Sequence, residues 1–217
     1  KCHKNRWGSY TSAEIQEARA GFYAQCTYID HQIRLLIGTL REEELLDNTI
    51  IMFISDHGDM LGNHNLWAKT QMYEYSAKIP MILVPTFNDS RVLHQHKDGR
   101  FAALRDVMPT LLDLCNLPIP KSVEGESLIR EGKKTHLYCE HDEDERSVRM
   151  IRMNEFKLIW YPVGNCIQLF DLKNDPQEMY DISNDSSCTT IRERLTKLLI
   201  ENLYGNDLDW VEKDKLI

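Results

Sequence analysis

The first third of the chain carries apolar residues at a helical spacing. From Thr11 onward they recur every three or four positions, which is the period of an amphipathic helix. These positions are Ile15, Ala18, Phe22, Cys26, Ile29, Ile33, Leu36 and Leu40. Thr11 and Glu14 form a capping-box pair, in which each side chain can bond the backbone of the other. We therefore predict one long helix from Thr11 that ends in the charged run 41–44.

Two unbroken apolar runs follow, at residues 50–54 and 79–84. Such runs are typical of strands that are buried on both faces, and a helix followed by a strand is typical of parallel sheets with helices on their faces. Pro80 is expected at the start of the second strand, because a proline within a sheet removes a hydrogen-bond donor. Another helix is predicted at 104–115, with Pro109 in its first turn.

Short alternating runs replace this pattern in the last third of the chain. They predict four strands with a hairpin at Asn154-Glu155, at residues 135–139, 147–153, 156–161 and 167–172. An amphipathic helix at 189–203 would cover one face of this antiparallel sheet. We predict an α/β domain at 1–133 and a small α+β subdomain, with an antiparallel sheet and a helix, at 134–217.

Composition excludes some partners. The 217 residues carry a net charge of −8, which argues against a nucleic-acid partner, and no run approaches the roughly 20 apolar residues of a membrane span. Six cysteines lack the spacing of a zinc site or a C-x-x-C motif, so we interpret them as free thiols in a reducing compartment, which favours a cytoplasmic location. They are Cys2, Cys26, Cys115, Cys139, Cys166 and Cys188.

The candidate chemistry begins at Asp56-His57, directly after the first apolar run and before Gly58. In open α/β sheets ligands bind beyond the carboxyl ends of strands, and a carboxylate beside an imidazole suits a divalent metal. An alternative interpretation is that Asp56 only bonds its own turn and His57 has no role. More than 20 residues separate the two strands, which is long for a connection and indicates a functional loop.

The loop continues with Leu61-Gly62-Asn63-His64, Trp67, Lys69 and Tyr73-Glu74, and then enters the second strand at Ile79-Pro80. Its order and spacing resemble the sulfatase family of the alkaline-phosphatase superfamily. That family shows S-D-H-G at a strand end, then L-G-x-H-x-x-W-x-K, then Y-E and I-P. The resemblance covers nearly the whole chain, continuing through 106–113, 123–128, 156–159 and 169–178.

The resemblance implies part of an alkaline-phosphatase-like sheet flanked by helices, and the hydrolysis of a small-molecule or carbohydrate sulfate ester. It makes Asp56 and His57 metal ligands and brings Lys69 to the sulfate group. His64 is a second catalytic candidate, although a structural hydrogen bond is an equal alternative. The implied ion is divalent, with calcium the usual one and manganese or another possible, because His57 stands where some members have asparagine. Trp67 and Tyr73 are expected to pack the loop.

The family's nucleophile motif does not occur in this sequence. Sulfatases form formylglycine from the first residue of C-x-P-S-R or S-x-P-S-R, and neither is present. We therefore expect the C-terminal portion of a sulfatase-type hydrolase, inactive alone, with its own N-terminal half or a second copy of itself as partner. Alternatives are a phosphonate or phosphate ester hydrolase of the same superfamily and a non-catalytic truncated paralogue. An uncompleted sheet should expose apolar surface.

Overall fold

The computed structural model describes residues 10–92, 96–132, 134–143 and 146–217. Its first element is the predicted long helix, α1 (Ser12–Glu42), and the predicted capping box is present. Glu14 accepts from the Thr11 backbone N–H at 2.8 Å, and the Thr11 hydroxyl accepts from the Glu14 N–H at 3.3 Å. None of the residues of α1 is buried, so its apolar stripe faces solvent for much of its length.

The first sheet contains β1 (Ile51–Ile54) and β2 (Met81–Val84). The two strands pair antiparallel, so the expectation of a parallel arrangement is wrong. A parallel pair needs a crossover, usually a helix, but the connecting segment contains only a 3₁₀ turn (Asn63–Asn65) and α2 (Glu74–Ala77), a single turn. The expectation of burial on both faces is also wrong, because Phe53, Ile82 and Val84 are 40–55% exposed.

The helix predicted at 104–115 forms as a 3₁₀ turn followed by α3 (Val107–Leu114), with Pro109 in the first turn as predicted. Its polar side chains hold the segment that follows. The buried Asp106 carboxylate accepts from the Glu126 N–H at 2.9 Å, and the Thr110 hydroxyl accepts from the Leu128 N–H at 2.9 Å. The stretches 106–113 and 123–128 therefore stabilise each other through hydrogen bonds between backbone N–H groups and side-chain oxygens.

The predicted four-stranded antiparallel sheet is confirmed, in the order β3-β4-β5-β6. Its strands are β3 (His136–His141), β4 (Val148–Met153), β5 (Phe156–Tyr161) and β6 (Cys166–Asp171). Asn154 takes a positive φ of 52° at the β4–β5 hairpin, a conformation that asparagine tolerates better than most residues. The last helix is α4 (Thr189–Asn202). A terminal hairpin of β7 (Val211–Glu212) and β8 (Lys215–Leu216) was not predicted, because two residues per strand give no pattern.

Each face of the four-stranded sheet has a different cover. Buried residues of α4 pack on one face, against Leu158, Trp160 and Leu169. The other face is covered by the loop between β1 and β2. The loop residues are Met60, Leu66, Met72 and Tyr73, and they meet Val148, Met150, Ile159 and Phe170. The predicted functional loop is therefore built onto the C-terminal sheet. The proposed boundary at 133 stays a prediction.

The cysteine interpretation is wrong in one place. Cys166, at the start of β6, forms a disulfide bond, while the thiols of Cys26, Cys115, Cys139 and Cys188 are free. Cys2 lies outside the described residues. Because the fold and not the spacing decides which cysteines meet, the sequence could not show this, and the cysteines no longer favour a reducing compartment. Among the described residues no helix combines the length and apolar character needed to cross a membrane.

The exposed face of the first sheet predicts self-association of the 217-residue chain. Phe53 and Ile82 are cross-strand neighbours and both are exposed, so burying them against a second molecule is favourable. We expect the average mass measured by sedimentation velocity to rise with protein concentration for the unchanged chain. For Ile82→Lys it should rise less. Gln16→Lys on α1 is the control, since it adds the same charge without removing apolar surface. Equal monomer content in all three proteins would contradict this.

Asp113 on α3 predicts an acid-sensitive contribution to stability. The Arg130 guanidinium, 2.6 Å away, lowers the pKa of Asp113 from 3.8 to about 2, despite partial loss of water. The pKa is lower in the folded state, so this contribution is complete above pH 3.8 and is lost as the pH falls toward about 2. We expect Asp113→Asn to flatten the dependence of the urea midpoint on pH in this window, whereas Asp30→Asn on α1 should leave it unchanged.

Candidate functional site

Asp56 and His57 lie where the chain leaves β1. The Asp56 carboxylate accepts from the backbone N–H of His57 at 3.0 Å, and the Ser55 hydroxyl donates to the His57 carbonyl at 2.7 Å. Asp56 therefore does form the local turn bond of the alternative interpretation. Its other carboxylate oxygen faces the His57 ring, with Oδ2 3.5 Å from Nε2. The local turn thus brings a carboxylate and an imidazole side by side.

The His57 ring connects this turn to Lys69. Its Nδ1 lies 2.7 Å from the Gly58 carbonyl oxygen, which only accepts, so Nδ1 carries the hydrogen. Its Nε2 lies 2.8 Å from the Lys69 ammonium, which only donates, so Nε2 presents a lone pair. The geometry thus brings together Asp56, His57 and Lys69. Their chemical roles remain predictions.

The electrostatics favour an ionised Asp56. Partial desolvation by neighbouring groups raises the pKa of the Asp56 carboxyl. The charge interaction with His57, backbone N–H groups and the Lys69 ammonium together outweigh that effect and hold the pKa below its ordinary value. The side chain is 80% exposed. A negatively charged oxygen is therefore available beside the His57 ring.

The loop holds Lys69 in an unusual backbone setting. The residues on either side, Ala68 and Thr70, have positive φ values of 59° and 81°. A β-branched residue rarely adopts this conformation, which costs on the order of 1–3 kcal/mol where the surrounding structure enforces it. Hydrogen bonds from Met60 N to Ala68 O and from Gly62 N to Leu66 O close the preceding turn. Strain of this kind clusters at functional sites, which supports Lys69 as a functional residue.

His64 lies in a different environment. Its Nε2 is 2.9 Å from the Gln177 carbonyl oxygen, and its ring stacks on Tyr73 at 4.2 Å between centroids. The hydrogen bonds of the described residues include none from His64 to Asp56, His57 or Lys69. This is the structural role that the sequence allowed, and the catalytic role of His64 stays a prediction. Tyr73 is 2% exposed and packs the loop, as predicted.

Two further residues fix the loop, and sequence reasoning missed both. Arg19 of α1 donates to the Leu61 carbonyl at 2.8 Å and to the Asn63 side chain at 3.2 Å. The Gly58 N–H donates to the Ser76 carbonyl at 2.8 Å, and this contact is so close that a Cβ on Gly58 would lie 2.1 Å from the Tyr75 carbonyl oxygen. The glycine in the S-D-H-G sequence was a signal for such an approach.

Comparison with known proteins identifies the class. Residues 62–204 match the family profile described as N-sulphoglucosamine sulphohydrolase, C-terminal, and residues 2–117 match the profile described as Sulfatase. The chain belongs to the sulfatase family of the alkaline-phosphatase superfamily.

Two curated relatives illustrate the match. The chain is 36% identical to an arylsulfatase of Clostridium perfringens over 219 residues, covering 97% of this chain and 45% of that protein. It is 33% identical to arylsulfatase K of Canis lupus familiaris over 197 residues, covering 83% of this chain and 36% of the relative. The chain therefore spans less than half the length of these relatives.

Solved structures show the shared mixed α/β fold over part of their length. A putative sulfatase from Bacteroides thetaiotaomicron aligns with a TM-score of 0.78 at 24% identity, covering 88% of this chain and 44% of that one. The phosphonate monoester hydrolase of Agrobacterium radiobacter also gives 0.78 at 24%, covering 95% and 45%. A structure in complex with its substrate D-glucosamine-2-N,6-O-disulfate gives 0.67 at 28%, covering 80% and 37%.

Membership of the family implies a metal, and the donors beside Lys69 fit one in part. The ionised Asp56 carboxylate and the His57 Nε2 lone pair are both metal-ligand types and lie 3.5 Å apart. The described residues include no group of three or more His, Cys, Asp or Glu side chains that could hold an ion. Two protein ligands would leave most positions of a divalent ion to water or to other groups.

The close approach at Gly58 predicts a steric effect on stability and on the turn. Gly58→Ala places a methyl group against the Tyr75 backbone, so β1 or α2 must shift; we expect a loss of about 1–3 kcal/mol in urea unfolding. Gly38→Ala is the matched control, because it lies in α1 with no atom within 4 Å of its added Cβ and should stabilise by about 0.5–1 kcal/mol. Equal effects of the two substitutions would contradict the steric argument.

Proposed function

We propose that the protein carrying this chain hydrolyses sulfate esters, and that this chain supplies the residues that hold a divalent metal and part of the sulfate group. The observation that carries the proposal is the meeting of Asp56, His57 and Lys69 at the end of β1, with the Lys69 ammonium 2.8 Å from His57 Nε2. The 36% identity to an arylsulfatase supports the sulfate ester as the bond that is cleaved.

Asp56 and His57 are the proposed metal ligands in this chain. A bound divalent ion supplies positive charge that polarises the ester and stabilises charge that develops on its oxygens. The Asp56 carboxylate contributes anionic oxygen and His57 contributes Nε2, which the hydrogen bond from Nδ1 to the Gly58 carbonyl orients. The single Nε2 lone pair accepts from Lys69 in this structure, so a bound metal would take the place of that hydrogen bond and leave the Lys69 N–H for the sulfate. Calcium is the first candidate, and the imidazole nitrogen leaves manganese or another divalent metal as the alternative.

Lys69 is the proposed sulfate contact. An ammonium group has three N–H donors, and within the described part of the chain Lys69 directs one of them, to His57 Nε2. The side chain is exposed, so the other donors can reach an anion from solvent. A fixed cation beside the sulfate oxygens stabilises the negative charge that grows on them as the sulfur–oxygen bond breaks.

Further polypeptide completes the proposed enzyme. The sequence has no C-x-P-S-R or S-x-P-S-R motif, so the formylglycine nucleophile of this proposal is supplied from outside these 217 residues. Among the described residues β1 and β2 form a sheet of two strands, so each has an edge at which further strands of an alkaline-phosphatase-like sheet could pair. We propose a carbohydrate sulfate as substrate, because a 28% identical relative was solved with D-glucosamine-2-N,6-O-disulfate as its substrate.

Turnover of two model esters tests this function. In the protein as its gene encodes it, we expect hydrolysis of p-nitrophenyl sulfate to exceed that of phenylphosphonate and to stop when a chelator removes divalent ions. Lys69→Met should lower kcat/KM by about 100-fold to 1,000-fold, the usual effect of removing one donor that stabilises developing charge.

Lys197→Met is the matched control, because Lys197 is an exposed lysine on α4, away from the loop. It should retain full turnover. Faster cleavage of phenylphosphonate would show that the preferred substrate is a phosphonate ester and not a sulfate ester. No cleavage of either ester would favour a non-catalytic role. An unchanged rate in Lys69→Met would remove Lys69 from the proposed site.

A further inference from the structure

A cluster of four charges, two of them buried and two half-buried, joins the functional loop to the C-terminal sheet. Lys157 on β5 is fully buried, and its ammonium lies 2.7 Å from Glu74 Oε1 and 2.7 Å from Glu178 Oε1. It also donates to the Met72 carbonyl at 2.9 Å. The ammonium therefore makes one hydrogen bond, to a carbonyl, and two ion pairs, to carboxylates, and two of these three contacts are to the loop between β1 and β2.

The neighbouring strand completes the cluster. Arg152 is the cross-strand partner of Lys157, and it donates to Glu74 Oε2 at 3.1 Å. Two like charges directly opposite each other repel, but here two carboxylates lie with them and the cluster is neutral. Burial raises the pKa of Glu74, but the charges of Lys157 and Arg152 lower it by more. The pKa is therefore below its ordinary value and the carboxylate is ionised.

The cluster also fixes the backbone of the loop. Glu178 Oε2 accepts from the Glu74 N–H at 2.6 Å, so one carboxylate binds both the Lys157 ammonium and the main chain. Glu74 begins α2, whose Ser76 carbonyl accepts from the Gly58 N–H beside the Asp56-His57 turn. The anchored Met72 carbonyl lies three residues after Lys69. The charge cluster therefore anchors Met72 and Glu74. These two residues lie between Lys69 and Ser76, which bonds the Asp56-His57 turn through Gly58.

We propose that Lys157 is a positioning residue, which holds Lys69 against His57 by anchoring residues 69–76 to β5 through Met72, Glu74 and Glu178. A lysine ammonium is a compact point charge, which suits a buried position that lies 2.7–2.9 Å from one carbonyl oxygen and two carboxylate oxygens. The inference rests on the proposed function for its catalytic consequence, but the anchoring itself is a property of the fold.

The matched control lies on the same sheet. Arg149 on β4 is also a buried cation, 3% exposed, and pairs with Asp207 at 2.5 Å. Adjacent residues of a strand point to opposite faces, so Arg149 lies on the face that α4 covers and Arg152 lies on the face of the loop. Arg149→Met and Lys157→Met each remove one buried positive charge, but only Lys157→Met removes a contact to the loop.

Amide hydrogen exchange tests the anchoring in the protein as its gene encodes it. We expect Lys157→Met to speed exchange at residues 69–76 by about tenfold or more relative to the unchanged protein, because a buried charge cluster loses its central cation. Arg149→Met should leave this segment unchanged. Equal exchange at 69–76 in the two variants would overturn the proposal. Should Lys157→Met not fold, Glu178→Gln is the milder test, with about threefold faster exchange expected at the same residues.

Kinetics test the consequence for Lys69. We expect Lys157→Met to lower kcat/KM for p-nitrophenyl sulfate by about tenfold to 100-fold, since small misplacements of a catalytic group have effects of this size. In a Lys69→Met background the same substitution should have less than about a twofold effect, because its target is already gone. A merely structural role would lower the rate equally in both backgrounds, and that result would overturn the proposal. If the unchanged protein cleaves no sulfate ester, the proposed function fails, and exchange alone decides the anchoring.

Discussion

The buried ammonium of Lys157 is the interaction on which the arrangement of the site depends. Removing a buried partner from such a cluster typically costs about 3–5 kcal/mol, because the remaining charges lose their compensation. Here the charges that would remain are two carboxylates and one guanidinium, all in contact with the loop or with its anchor. The same contacts that stabilise the sheet therefore hold the backbone that carries Lys69. Stability and site geometry are coupled through one side chain.

The elements of the fold were largely predictable, and the pairing of the first sheet was not. The helix that starts with the Thr11–Glu14 box and the four strands of the C-terminal sheet have strong local patterns, because periodicity of 3.6 or 2 is a property of neighbouring residues. The direction of β2 relative to β1 depends on how the long loop returns, and no local pattern records that. The loop uses its apolar residues to cover the C-terminal sheet, so the chain returns antiparallel.

The part of the site whose residues are close together in the sequence could be predicted. Asp56, His57 and Lys69 lie within one loop, and the resemblance of their order and spacing to the sulfatase motif suggested that they meet. The residues that hold the loop come from elsewhere in the chain, as Arg19, Lys157 and Glu178 do, and single-sequence patterns do not report contacts across such distances. One signal was available: Lys157 is a charged residue inside the otherwise apolar run 156–161, and such a residue needs a buried partner. Only the three-dimensional structure identifies that partner as Glu74 together with Glu178.

The two lysines of the loop and sheet differ in a way that explains their proposed roles. Lys157 is fully buried, and its charge is already paired with two carboxylates of this chain, so it is not available to an external anion. Lys69 is exposed, and among the described residues it donates only to the His57 ring, which leaves donors for a ligand. An anion entering the site would meet an ammonium whose position is set by strained backbone on both sides and by the buried cluster three residues later. A cation held in this way loses little further freedom when it binds, so its charge is available to the reaction.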